Sequence, residues 1–189
     1  MLIYTNMKNE KLESEIEIPS GIIVNIHKDE IIFKKEDKEI RRKLNPMIRV
    51  KVEEGKIKIT SEKFTKREKK NFGSIKAHVK NAIEGLNNPW KYKLQIAMVH
   101  FPTTALIDKD TNEFVLKNFL GEKKDRRVKL SSDVEIKINK DIIEITSSNV
   151  EKAGQTAANL EKLTKVRNRD RRIFQDGIFI IEKPGREFI

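Results

Sequence analysis

Between residues 162 and 172 six cations surround a single acid: Lys162-Leu163-Thr164-Lys165-Val166-Arg167-Asn168-Arg169-Asp170-Arg171-Arg172. The chemistry open to such a segment is the binding of a polyanion. A guanidinium offers paired N–H donors to phosphate and can lie flat on a base, whereas charge kept only for solubility is served as well by lysine or by acids. Cations that follow a helix also complement its dipole, so a capped, solvated helix end is the competing reading of the same residues. Lys165, Arg167, Arg169, Arg171 and Arg172 are the candidate phosphate ligands, and Asn168 can add base-edge or sugar contacts. Beyond them, Phe174 offers a ring for a stacked base and Gly177 a close backbone approach. Phe174 suits a core position equally well.

A second cationic run precedes it, Lys117-Asn118-Phe119-Leu120-Gly121-Glu122-Lys123-Lys124-Asp125-Arg126-Arg127. Gly121 after two apolar residues predicts a tight turn that presents Lys123, Lys124, Arg126 and Arg127 outward, with Lys117 and Asn118 at its entry. Alone this run reads as solvated surface. Together with the arginine segment it becomes the second wall of one binding face. Charge in the first half, at Lys34-Lys35, Arg41-Arg42-Lys43 and Thr65-Lys66-Arg67-Glu68-Lys69-Lys70, is interleaved with acids and reads as solvated face.

Nothing comparable suggests catalysis. Glycine-rich phosphate loops, nucleophile elbows and HExxH motifs are all missing, and the carboxylates are scattered through amphipathic strands. With no cysteine, thiolate zinc sites, iron–sulfur clusters and disulfides are excluded. His27, His78 and His100 lie in separate segments, which argues against zinc, and His100 reads as a hydrogen-bonded strand-end residue. The expectation is a non-enzyme without cofactor, metal or small-molecule substrate. A net charge of +11, from 40 Lys and Arg against 29 Asp and Glu, calls for a polyanionic partner. No apolar run reaches the roughly 20 residues of a membrane span, and no signal peptide opens the chain, so a soluble cytoplasmic protein with no membrane partner is expected.

The elements that must position these residues come from an internal repeat. At an offset of 86, Arg41–Thr60 aligns without gaps to Arg127–Thr146, with seven of twenty positions identical. In each copy hydrophobics alternate with polar residues, break at a turn (Glu54-Gly55, Lys140-Asp141) and resume, the pattern of a half-buried hairpin. An amphipathic helix follows each, carried by Phe64, Phe72, Ile75, Val79, Ala82, Ile83 and Leu86 in the first and by Val150, Ala153, Ala157, Leu160 and Leu163 in the second. Further strands are expected at 15–19, 22–27 and 31–35, and at 92–99, 103–108 and 113–118. The fold class is therefore α+β: two duplicated domains, each an antiparallel meander sheet packed against one helix. Gly85-Leu86-Asn87-Asn88-Pro89 ends the first helix and places the boundary, giving residues 1–88 and 89–189.

Several motifs resemble those of a known family. Val99-His100-Phe101-Pro102, Asn118-Phe119-Leu120-Gly121-Glu122-Lys123 with Arg126-Arg127-Val128, and Val166-Arg167-Asn168-Arg169-Asp170-Arg171-Arg172-Ile173-Phe174 closing on Asp176-Gly177-Ile178-Phe179 are similar to the universal large-subunit ribosomal protein six, in its archaeal and eukaryotic cytosolic form. Thr65-Lys66-Arg67-Glu68 leading to His78-Val79-Lys80-Asn81 resembles that family's first helix. The likeness covers nearly the whole chain. It departs at Lys35-Glu36-Asp37-Lys38, where many relatives carry a Gly-Pro turn, and after Phe179. It implies two duplicated α+β domains and a structural role in the large ribosomal subunit. By the same likeness the second domain would bind large-subunit rRNA near the factor-binding region, beside protein neighbours at the stalk base. A free-standing RNA chaperone or regulatory RNA-binding protein is the alternative.

Overall fold

Strict alternation of apolar and charged residues along 12–61 makes short strands with one wet face. The computed structural model describes residues 12–53 and 55–188. In the first half these strands are β1 (Leu12–Glu17), β2 (Ile23–His27), β3 (Glu30–Lys35), β4 (Lys38–Lys43), β5 (Arg49–Glu53) and β6 (Lys56–Ser61), followed by α1 (Lys66–Asn87). The second half repeats the plan with β7 (Trp90–Ala97), β8 (Thr104–Asp108), β9 (Glu113–Lys117), β10 (Arg126–Lys129), β11 (Glu135–Asn139), β12 (Ile142–Ser147) and α2 (Val150–Leu163), then adds β13 (Gly177–Lys183) and β14 (Arg186–Glu187). The chain divides into two compact units, Met1–Asn87 and Asn88–Ile189.

Among the described residues each unit holds two antiparallel sheets rather than the single meander expected from the sequence. The meander description fits β2-β3-β4 and β8-β9-β10. The other sheet is ordered β1-β6-β5 in the first unit and β11-β12-β7-β13-β14 in the second, so the first strand returns to pair with the last strand of the repeated hairpin. Period-2 alternation reports which face is buried and is blind to which strand lies alongside, which is why the pairing was not legible.

The duplication holds to the residue. β5 and β6 map onto β11 and β12 at the same offset of 86, and the loop before each hairpin is tied alike, Ile48 N–H to Asn45 C=O at 3.0 Å and Val134 N–H to Ser131 C=O at 3.2 Å. Ile57 and Ile59 are wholly buried against Phe72, Ile75 and Val79 of α1, and Ile143 and Ile145 against Ala153, Ala157 and Leu160 of α2. Each such isoleucine contributes about 1.5–3 kcal/mol by leaving water.

Helix starts are written locally. Thr65 and Glu68 form a capping box: the Glu68 amide donates to Thr65 Oγ1 at 3.3 Å, and the Thr65 amide to Glu68 Oε2 at 3.3 Å. Asn149 caps α2 by accepting from the Glu151 and Lys152 amides. Phe64, placed on the apolar stripe from sequence, precedes the cap and is 48% exposed under Lys69. Thr65→Ala is expected to weaken the first turn of α1 by about 1 kcal/mol, seen as a roughly fivefold loss of amide-exchange protection there. Unchanged protection would show that the box contributes nothing.

The turn at Lys35-Glu36-Asp37-Lys38 is a two-residue hairpin loop with Glu36 at φ 51°, closed by Lys35 paired to Lys38. Residues 164–176, which carry the arginine segment, join α2 to β13, an addition to the repeat that follows only the second helix.

Candidate nucleic-acid interface

The arginine segment starts where α2 stops, and its anchor is Thr164. That hydroxyl donates to the Glu161 carbonyl at 3.0 Å and accepts the Ile178 amide at 2.9 Å, tying the helix end to the start of β13. The run's single acid is then spent on backbone. Asp170 Oδ1 accepts the Arg172 amide at 2.9 Å, and the Asp170 carbonyl accepts the amides of Ile173 and Phe174 at 3.2 and 2.9 Å. Asn168, at φ 56°, turns the chain just before it. With Asp170 engaged in this loop, Lys165, Arg167, Arg171 and Arg172 are exposed, and none of them makes an ion pair with another described residue.

The other cationic run is organised around its apolar pair. Phe119 and Leu120 are buried, while Asn118, Leu120 and Gly121 all sit at positive φ (56°, 51° and 76°), a conformation Gly121 adopts without strain. The Asn118 side chain donates through Nδ2 to the Pro102 carbonyl at 2.9 Å, so its role is to fasten this loop to 101–103. Lys117, Lys123 and Lys124 are exposed. Arg127 is half-exposed, 3.8 Å from Glu113 and 3.7 Å from Asp125.

Arg126 departs from the outward presentation expected of it. Its guanidinium grips Glu122 with both arms, Nε to Oε2 at 2.8 Å and Nη2 to Oε1 at 2.5 Å. Nη1 donates to the Leu163 carbonyl at 2.7 Å, and the group lies 4.4 Å from the Phe119 ring centre. One side chain therefore closes the exposed C-terminus of α2 and binds the two cationic runs together. The bond to Arg126 holds the Glu122 carboxyl below the usual carboxylate range, against the opposing effect of partial burial.

A second brace joins residues 76 apart. The buried Asp176 carboxylate accepts the Val99 amide at 2.7 Å, the His100 amide at 2.9 Å and His100 Nδ1 at 2.5 Å. Burial pushes this carboxyl up, and its three donors more than offset that, so it lies below the ordinary aspartate value. The His100 ring stacks at 4.8 Å on Phe174, whose ring also carries Arg169 at 4.7 Å. Phe174 is half-buried in this contact and acts as a support for Arg169. Gly177 is buried too: a Cβ there would stand 3.2 Å from Phe179 Cζ, so its lack of a side chain serves packing.

The structure thus brings both cationic runs onto one unit and gives Arg126, Asn118, Phe174 and Gly177 positioning work. The sequence reading missed Glu122, Asp176 and Asp170 as the acids that shape the loops. Glu122 carried the one available signal, four residues before Arg126. Among the described residues no cluster of His, Asp or Glu is placed to hold a metal, and no helix is long and apolar enough to cross a membrane.

Residues 103–177 match the family model for ribosomal protein L6. The chain is 38% identical over 176 residues to large ribosomal subunit protein uL6 of Methanococcus vannielii, covering 93% of this chain and 96% of that protein. Against uL6 of Halobacterium salinarum the identity is 35% over 173 residues, covering 91% and 96%. For uL6 of Sulfurisphaera tokodaii it is 37% over 179 residues, covering 94% and 95%.

Proposed function

The chain belongs to the ribosomal protein L6 family, and from that premise we propose that it is a structural constituent of the large ribosomal subunit, with no catalytic role, held on large-subunit rRNA by its second unit. The contacts are Lys117, Lys123, Lys124, Lys165, Arg167, Arg171 and Arg172, with Arg127 and Arg169 at the margin. One observation carries this reading: the acids inside both runs are taken up by backbone (Asp170), by Arg126 (Glu122) or by Arg127 (Asp125), leaving Lys117, Lys123, Lys124, Lys165, Arg167, Arg171 and Arg172 without a carboxylate partner among the described residues. Guanidinium and ammonium groups left this way are matched by phosphates of a folded RNA, whose counterions are released on binding. The docking site lies near the region where translational GTPases act, with protein neighbours at the stalk base, in the cytoplasm.

Arg167, Arg171 and Arg172 replaced together by alanine should lower the salt dependence of rRNA binding. At about 0.7–0.9 per phosphate contact, the log–log slope becomes shallower by about 2–3. The melting curve followed through Trp90, the single tryptophan, should stay in place. A slope unaltered by the triple change would refute these contacts. Nucleotide footprinting of the rRNA tests the factor-region placement, and a pool of protein sedimenting apart from the large subunit would favour a free-standing RNA-binding protein instead.

A further inference from the structure

Beside the arginine loop lies a cleft of about 780 Å³, in the size range that takes a small planar ligand. Small residues create it. Ala158 on the exposed face of α2 and Ala97 at the end of β7 leave open the space that larger side chains would fill, and Gly177 at the start of β13 lets the Phe179 ring lie close against the backbone. Val166 and the Phe179 ring supply apolar walls, and Phe179 keeps 40% of its surface exposed.

The rim has the opposite character. Lys162, Lys165 and Arg171 stand around an opening whose free acid is Glu161, since Asp176 is saturated by Val99 and His100. Gln175 adds an amide at the edge. An apolar slot with an aromatic wall and three cations at its mouth fits a flat, weakly polar group that carries an anion. A peptide side chain would supply the first part and leave the cations unmatched.

We infer that this cleft receives one unstacked nucleobase of the bound RNA, packed against Phe179, with the flanking phosphates held by Lys162, Lys165 and Arg171. The inference rests on the RNA-binding reading above and adds a base pocket to a surface otherwise made of phosphate contacts. Aromatic walls suit this because every base has a π-face, and bases in loops and bulges are free to splay outward.

The test uses the full chain and large-subunit rRNA transcribed in vitro, with affinity measured across salt concentrations. Ala158→Leu fills the slot from an exposed helix position, and Phe179→Ala removes its aromatic wall. Each should weaken binding about tenfold, within the range for loss of one stacked base, without altering the salt slope. Phe179→Trp should bind as the natural protein does. Trp90 melting identifies a variant that misfolds, and if Ala158→Leu does so, Phe179→Ala decides alone. Natural-strength binding by Phe179→Ala overturns the base pocket while leaving the phosphate surface standing, and so does weakening accompanied by a shallower slope. If the natural protein itself shows no salt-dependent affinity for the rRNA, the RNA reading falls and the pocket with it.

Discussion

Arg126→Ala is expected to destabilise the second unit by about 2–3 kcal/mol and to weaken rRNA binding with it. The guanidinium is only 19% exposed and makes two charge-assisted bonds to Glu122 and one to the Leu163 carbonyl. Glu122 is near the surface and regains water when released, which limits the loss on that side. The Leu163 carbonyl, one of the unsatisfied groups at the end of α2, loses its donor, and Phe119 loses its cover. Arg126→Lys should recover a single bond without the fork and fall between the two. Urea unfolding read through Trp90 separates this from a direct contact role. A binding defect with unchanged stability would mean that Arg126 touches RNA after all.

The effect reaches binding because Arg126 stands where α2 passes into the arginine loop. Freeing Leu163 loosens the residues that set the direction of Lys165 and Arg167, and ordering a loosened loop costs entropy at the moment of binding. Losses from Arg126→Ala should therefore appear without the reduced salt slope that marks a missing phosphate contact. The triple arginine variant should show the reverse, a shallower slope at normal stability.

What the sequence disclosed follows the range over which its signals act. The hairpins and helices were legible because periodicity, the Thr65 to Glu68 box and turns at Gly55 and Lys140-Asp141 are local. The repeat even registered β5 and β6 on β11 and β12 without error. The α+β class and the membership of Lys165 to Arg172 in one exposed loop were legible for the same reason. Arg126 turns inward where the sequence predicts an outward side chain, because charge alone does not reveal a partner and its carbonyl acceptor belongs to residue 163, 37 positions on. His100 is hydrogen-bonded, as its place after a strand suggests, yet its acceptor, Asp176, lies 76 residues away. Residue type alone makes Phe174 and Gly177 candidates for RNA contact. Type is silent on whether a ring faces solvent or, as here, a histidine and an arginine.

Asp176→Ala should cost about 3–4 kcal/mol, more than Arg126→Ala. A buried carboxylate with three donors is lost, and the Val99 and His100 amides are left without their acceptor. The pH dependence has a definite sign. The folded carboxyl lies below its unfolded value of about 3.9, so between the two the unfolded chain binds the extra proton and stability rises with pH. Its contribution is complete above the unfolded value and disappears as pH falls through the folded one. Asp133 and Glu122 are depressed as well, by bonds to Lys152 and Arg126, so the natural protein retains other acid-sensitive groups. The informative quantity is the difference between the natural protein and Asp176→Asn, which preserves shape and one acceptor oxygen but cannot titrate. That difference should be constant above about pH 5 and shrink steadily below pH 4. A difference that stays flat into acid would mean the Asp176 carboxyl titrates alike in folded and unfolded chains. The clamp on His100 would then be neutral packing, and the support it gives Phe174 and Arg169 would have to come from elsewhere.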